Sequence, residues 1–184
     1  TGSFFDECLQ SIELQTQKPA VVVIVDNGIN EMQTLKTIDR ARRNEWRIVQ
    51  KRNTELVLAK NAGIEAVLCS GLNPIGFLFL SGAERLQPDF VAVCESVFQR
   101  CPEVGLFSCW AHYSGTHDKI WIRPCPSFPY QWISNEAVSF SAVRSEALYE
   151  AGNFRPVMNR GYEDWDLFNA VMAAGWAAVT VPRI

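Results

Sequence analysis

The feature that most constrains this chain is an alternation: short apolar runs, rich in β-branched and aromatic residues, alternate with longer stretches of helical period. The runs are AVVVIV at residues 20–25, WRIV at 46–49, IGFLFL at 75–80 and VGLFSC at 104–109. All fall far short of the ~20 apolar residues needed to cross a bilayer, so they read as strands. Phe4, Phe5, Cys8, Leu9 and Ile12 mark a first helix, and Met32, Leu35, Ile38 and Ala41 a second. Within residues 54–70, Leu56, Ala59, Gly63, Ala66 and Val67 predict a third inward face. A fourth carries Phe90, Val93, Cys94, Val97 and Phe98, with Pro88 near its first turn. Helix and strand in turn predict an α/β fold with a doubly wound, mostly parallel sheet and right-handed crossovers. The run at 20–25 reads as a strand buried on both faces, ending in the turn Asp26-Asn27-Gly28.

Beyond Cys109 the pattern changes. Residues 111–129, with HYSGTHDK and RPCPSFP, predict a surface insertion or a hairpin flanking a site. Helical order returns over 144–151, stopped by Gly152, and over 164–174, stopped by Gly175; WAAVTVPRI then reads as a strand. No repeat or linker divides the chain, so residues 1–184 are expected to form a single domain. A doubly wound sheet ordinarily begins on a strand, and this chain begins on a helix. A segment of a longer protein is the expectation.

Composition narrows the partners. A formal charge of -3 with no basic stripe argues against nucleic acid, and 48% hydrophobic residues argue against disorder. Neither a basic start nor an apolar centre marks a secretory leader. The six cysteines form no CxxC pair, which favours free thiols packed as small hydrophobes in a reducing compartment.

Several groups could carry chemistry. Asp26 ends a strand, where a carboxylate can accept from a ribose or base edge; an Asx-turn is the plainer alternative. Glu163, Asp164 and Asp166 open a helix, where the dipole favours acids as caps and equally holds a general base ionised. His112 and His117-Asp118 match no compact metal spacing. Trp110, Trp121, Tyr130 and Trp132 could stack on a flat ligand such as a sugar or pack against the core.

In order along the chain, FFDECLQSIELQT, AVVVIVDNGIN, LAKNAGIEAVL, FLFLSGAERLQPDF, AVRSEALYEAGNFRP and GYEDWDLFNAVMAAGW resemble the family 2 glycosyltransferases. These are inverting enzymes with the Rossmann-like GT-A fold. The resemblance implies that Asp26 and Asn27 contact the nucleotide, that Lys60 and Asn61 lie beside its pocket, and that Ser81, Gly82 and Ala83 line the sugar-nucleotide site. It makes Asp164, next to Glu163, the base that deprotonates an acceptor hydroxyl. It further implies a nucleotide-sugar donor such as a UDP-sugar, a saccharide or lipid-linked acceptor, and a role in polysaccharide biosynthesis. A cytoplasmic location follows, with room for peripheral association at the inner face of a membrane. The family's opening strand has no counterpart in these residues.

One departure matters. The family places Asp-x-Asp where this chain has Ser81-Gly82-Ala83, leaving Glu84 as the acid for a weakly held Mg2+ or Mn2+. Arg85, Arg160 or Arg183 could neutralise the leaving diphosphate instead. The alternative is an inactive nucleotide-sugar or glycan-binding module. A dinucleotide enzyme is set aside, because VDNGINEM has one glycine where GxGxxG needs three.

Overall fold

The computed structural model describes residues 2–27, 32–51, 54–115 and 118–183. Gly28 and His117 lie outside the described residues, as do the side chains of Met32 and Leu35. The chain divides into two compact units, Thr1–Pro74 with Leu80–Val93, and Ile75–Phe79 with Cys94–Ile184. No described helix is long and apolar enough to cross a membrane.

The first unit contains α1 (Gly2–Glu13), β1 (Val23–Asp26), α2 (Met32–Arg43), β2 (Arg47–Gln50) and α3 (Leu56–Leu68). The strands β1 and β2 pair in parallel, from Val23 opposite Arg47 to Asp26 opposite Gln50. Leu9 of α1, Ile24 of β1 and Ala41 of α2 meet in a core that Phe5, Ile12, Trp46 and Ile48 extend. Outside that core Arg40 binds α2 to α1, holding Asp6 at 2.6 Å and pairing with Glu13.

Three expectations are corrected here. The first strand is four residues long and buries Ile24 alone, because among the described residues β1 pairs only with β2. Phe4 is 56% exposed, so α1 buries Cys8 and Leu9 instead. In α3 the buried face is Val57, Ala59, Ala62, Ile64 and Val67, while Leu56 lies in water and Ala66 is half-buried. LVLAKNAGIEAVL is apolar almost all round, so its period does not single out one face.

In the second unit stand β3 (Gly76–Leu78), the later part of α4 (Phe90–Arg100), β4 (Val104–Cys109), β5 (Ala111–Tyr113) and β6 (Lys119–Trp121). The single-turn α5 (Tyr130–Ile133), β7 (Ala142–Arg144), α6 (Ser145–Glu150), α7 (Glu163–Ala173) and β8 (Ala177–Val181) complete it. Its main sheet has the order β3-β7-β4-β8. Strand β7 runs antiparallel to both β3 and β4, and β8 runs parallel to β4, so three of the four strands share a direction. The α/β class stands, with a mixed sheet. Every residue of β4 is buried, as its continuous apolar run implies.

The helix expected over 144–151 is a strand and a helix: β7 occupies 142–144 and α6 begins at Ser145. Arg144 explains the break. Its buried guanidinium donates to the carbonyls of Val104 at 2.7 Å, Phe98 at 2.6 Å and Cys101 at 3.0 Å, and lies 4.9 Å from the Phe98 ring. A cation thus closes the carboxyl end of α4 from inside the sheet. The expected hairpin is present as β5 and β6, paired from Ala111 with Trp121 to Tyr113 with Lys119. Gly152 and Gly175 end α6 and α7 with φ of 83° and 97°.

Candidate functional site

On the first unit, the carboxyl end of β1 carries Asp26 and Asn27. The Asp26 carbonyl accepts the Lys51 N–H at 2.8 Å. Asn27 is paired with Thr54: its Nδ2 donates to the Thr54 carbonyl at 2.6 Å, and its Oδ1 accepts the Thr54 N–H at 2.8 Å and hydroxyl at 3.0 Å. That pairing fixes the segment entering α3. Lys60 and Asn61 follow, both half-buried on the second turn of that helix. Thr54 was not a sequence candidate, since nothing local links residues 27 apart.

The segment Ser81-Gly82-Ala83-Glu84 is a closed turn. The Ser81 carbonyl accepts the Glu84 N–H at 3.0 Å, while the Glu84 Oε2 accepts the Ser81 N–H at 2.7 Å. The Ser81 hydroxyl accepts the Ala83 N–H at 3.3 Å. Below the turn, a Cβ at Gly82 would sit 2.9 Å from Phe5 Cδ2, so the turn rests directly on α1. The Cys8 thiol donates to the Ser81 carbonyl at 3.5 Å, and burial, then the Glu84 charge, pushes it up to about 12. Arg85 next door pairs with Glu7 at 2.6 Å.

This donor set suits a divalent cation poorly. Mg2+ and Mn2+ take hard carboxylate oxygens in near-octahedral sets, and the turn offers one carboxylate that already braces its own backbone. Among the described residues no three His, Cys, Asp or Glu side chains converge as a metal site. His112 pairs with Asp118, and His117 lies outside the described residues.

On the second unit, α7 opens with Glu163, Asp164 and Asp166 in its first turn. Glu163 is buried at 7% exposure and Asp164 is half-buried. The residue before them, Tyr162, adopts φ 63° and ψ 13°, a left-handed conformation that disfavours a large side chain. Two clamps hold the turn. Arg155 grips Asp166 from Nε at 2.7 Å and with Nη2 on the other oxygen, and the Trp165 indole N–H donates to the Gln131 carbonyl at 2.5 Å. Neither Arg155 nor Gln131 was a sequence candidate, because both act across loops that carry no periodic signal.

The four aromatic candidates separate. Trp110 and Trp121 are half-buried, and Trp121 stacks under Arg123 at 4.8 Å; Tyr130 and Trp132 are 65% and 61% exposed. Arg160 and Arg183 stand exposed on the second unit. The cysteines form no disulfide among the described residues; Cys8 and Cys109 are buried, Cys69 and Cys125 exposed.

No protein-family model and no curated protein matches the chain. Solved structures do. The crystal structure of S. aureus TarS residues 1–349 in complex with UDP superposes with a TM-score of 0.65 at 14% identity, over 97% of this chain and 57% of that one. Full S. aureus TarS gives a TM-score of 0.71 at 14% identity, over 98% and 33%. The mannosyltransferase PcManGT from Pyrobaculum calidifontis, in complex with GDP-Man and Mn2+, gives 0.66 at 17% identity, over 99% and 52%. These likenesses establish a GT-A-like α/β fold. The chain spans about half the length of the shorter of these structures, and a third of full TarS.

Proposed function

We propose that this chain is the nucleotide-sugar-binding part of a glycosyltransferase of the family 2 type, transferring a hexosyl-like group with inversion to a saccharide or lipid-linked acceptor. The observation that carries the reading is the acidic first turn of α7, clamped by Arg155 and Trp165 within a GT-A-like fold. The donor side is assigned to Asp26, Asn27, Lys60, Asn61 and the turn Ser81-Gly82-Ala83. The acceptor side is assigned to Asp164, with Glu163 beside it.

The chemistry asks for one proton transfer and one displacement. Asp164, ionised at the amino end of a helix, accepts the proton of an acceptor hydroxyl as its oxygen forms a bond to the anomeric carbon. The bond from that carbon to the diphosphate oxygen breaks, and the electron pair leaves with the nucleoside diphosphate. Inversion follows from attack on the face opposite the leaving group. Because the Ser81–Glu84 turn fits a metal poorly, no step is assigned to one. Cations of the chain are the better candidates to meet the charge of the diphosphate.

The test uses UDP-glucose, UDP-N-acetylglucosamine and GDP-mannose as donors. One of them should raise the melting temperature, and Asp164→Asn should abolish release of the nucleoside diphosphate while retaining that thermal shift. Undiminished turnover in Asp164→Asn removes the proposed base.

A second reading has its own observation. The Glu84 carboxylate braces the turn where a transferase of this type would hold its metal, which favours a binding module without turnover. Donor binding without any nucleoside diphosphate release, in the presence or absence of Mn2+, would select it.

A further inference from the structure

Helix α7 begins without a side-chain cap. Its N-cap residue is Tyr162, whose side chain makes no bond to the orphan N–H groups of the first turn and whose φ of 63° is a conformation that glycine would adopt without strain. The helical ladder opens with the Asp166 N–H, which donates to the Tyr162 carbonyl at 2.9 Å. A helix start that lacks a cap depends on what grips its first turn from outside. Arg155 grips Asp166, but that pair is partly exposed and correspondingly weak. The Trp165 indole is half-buried, and its N–H donates to the Gln131 carbonyl at 2.5 Å, as an indole withdrawn from water requires.

The acceptor of that bond is itself held in place. Helix α5 has four residues, too few to be stable alone, and its carbonyls have no partner within the helix. Gln131 supplies the order that the helix lacks. Its side chain is fully buried, donates from Nε2 to Asn135 Oδ1 at 3.0 Å and accepts the Glu136 N–H on Oε1 at 2.9 Å. Asn135 Oδ1 also accepts the Ala137 N–H, at 3.2 Å. One buried amide thus folds residues 131–137 back on themselves and holds its own carbonyl against Trp165.

Asp164 precedes Trp165 directly, and successive Cα atoms stay about 3.8 Å apart, so a shift of Trp165 is passed on to Asp164. We propose that Gln131 and Trp165 are positioning residues for the base: the bond between the Gln131 carbonyl and the Trp165 indole N–H fixes the start of α7, and through it the Asp164 carboxylate. This inference rests on the reading of Asp164 as the base, and it adds two residues that act through it.

The experiment compares Trp165→Phe, which keeps a ring and removes the N–H, with Gln131→Met, which keeps length and removes both loop bonds, and with the double variant. Two readouts are taken: amide hydrogen exchange at residues 163–166 without ligand, and nucleoside diphosphate release with the donor that stabilises the parent. Each single variant should speed exchange there about tenfold while β4 keeps its parent rates. Each should lower kcat about tenfold and leave the donor KM unchanged, a split that general destabilisation would not produce. The double variant should lose no more than the larger single loss, because both changes break one tether. Should Gln131→Met fail to fold, Trp165→Phe decides through the same two readouts. The tether is overturned if Trp165→Phe exchanges at parent rates, or if the two losses add in the double variant. Faster exchange at 163–166 with an unchanged kcat overturns the positioning role. A parent chain that releases no nucleoside diphosphate from any donor overturns the transferase reading, and the exchange rates then decide the tether by themselves.

Discussion

Glu84 and Ser81 hold each other through their main chains and one carboxylate, the Ser81 N–H at 2.7 Å from the Glu84 side chain and the Glu84 N–H at 3.0 Å from the Ser81 carbonyl. The lone acid of this turn is thus a brace. Glu84→Ala should cost about 1 kcal/mol of stability, the usual worth of such a bond, read by urea unfolding. Ser81→Asp with Ala83→Asp should add carboxylates that the brace does not use, and Mn2+ should then tighten UDP binding in calorimetry. A double variant indifferent to Mn2+ would place the donor phosphates elsewhere.

Arg155 neutralises the third acid of the α7 turn through a paired contact to Asp166. The pair is partly exposed, so Arg155→Met should cost about 1 kcal/mol or less, read as a small fall in the urea midpoint. Arg155→Lys should restore part of that loss. An unchanged midpoint in Arg155→Met would show that the α7 turn keeps its place without this contact.

Arg144 is buried and binds three carbonyls at the end of α4 and start of β4. Replacing it by methionine keeps volume but leaves those carbonyls short of a donor. The expected loss is about 3 kcal/mol, visible as a fall in the urea midpoint. A loss under about 1 kcal/mol would mean that water replaces the guanidinium.

Gly105 lies where a side chain has no room, since a Cβ there would be 2.6 Å from Trp176 Cβ and 2.9 Å from Ala147 Cβ. Gly105→Ala should destabilise the second unit by about 2 kcal/mol through overpacking. Thermal unfolding reads this directly.

The thiols of Cys8 and Cys109 are both pushed up to about 12 from 9.0, by burial first and, for Cys8, by Glu84 next. A raised folded-state pKa means that the native chain binds more protons than the unfolded chain between those values. The stability these neutral thiols contribute is complete below pH 9 and is lost as pH rises toward 12. Each pH unit in that window should cost about 1.4 kcal/mol per thiol. Iodoacetamide at pH 8 should label Cys69 and Cys125, which are exposed, and spare Cys8 and Cys109 in the native state.

Much of the architecture was legible in the residues themselves. The run VGLFSC is β4 with its boundaries unchanged, and the glycines that end α6 and α7 stand where the helical period stops. Those features depend on side-chain period and on backbone freedom, which are local properties. The acids that open α7 were legible for the same reason.

Strand β7 was not legible. Its three residues, Ala142, Val143 and Arg144, continue the period of the helix that follows, and a buried arginine argues against a strand until its three carbonyl partners are known. Period and composition determined which stretches coil and which extend. Tertiary structure decided which strand entered between β3 and β4, that Asn27 serves Thr54 and Glu84 serves Ser81, and that Gln131 ties exposed rings to the acids of α7. Each of the latter is a pairing between groups whose partner the neighbouring sequence does not specify, and such pairings exist only once the chain has closed the loops between them.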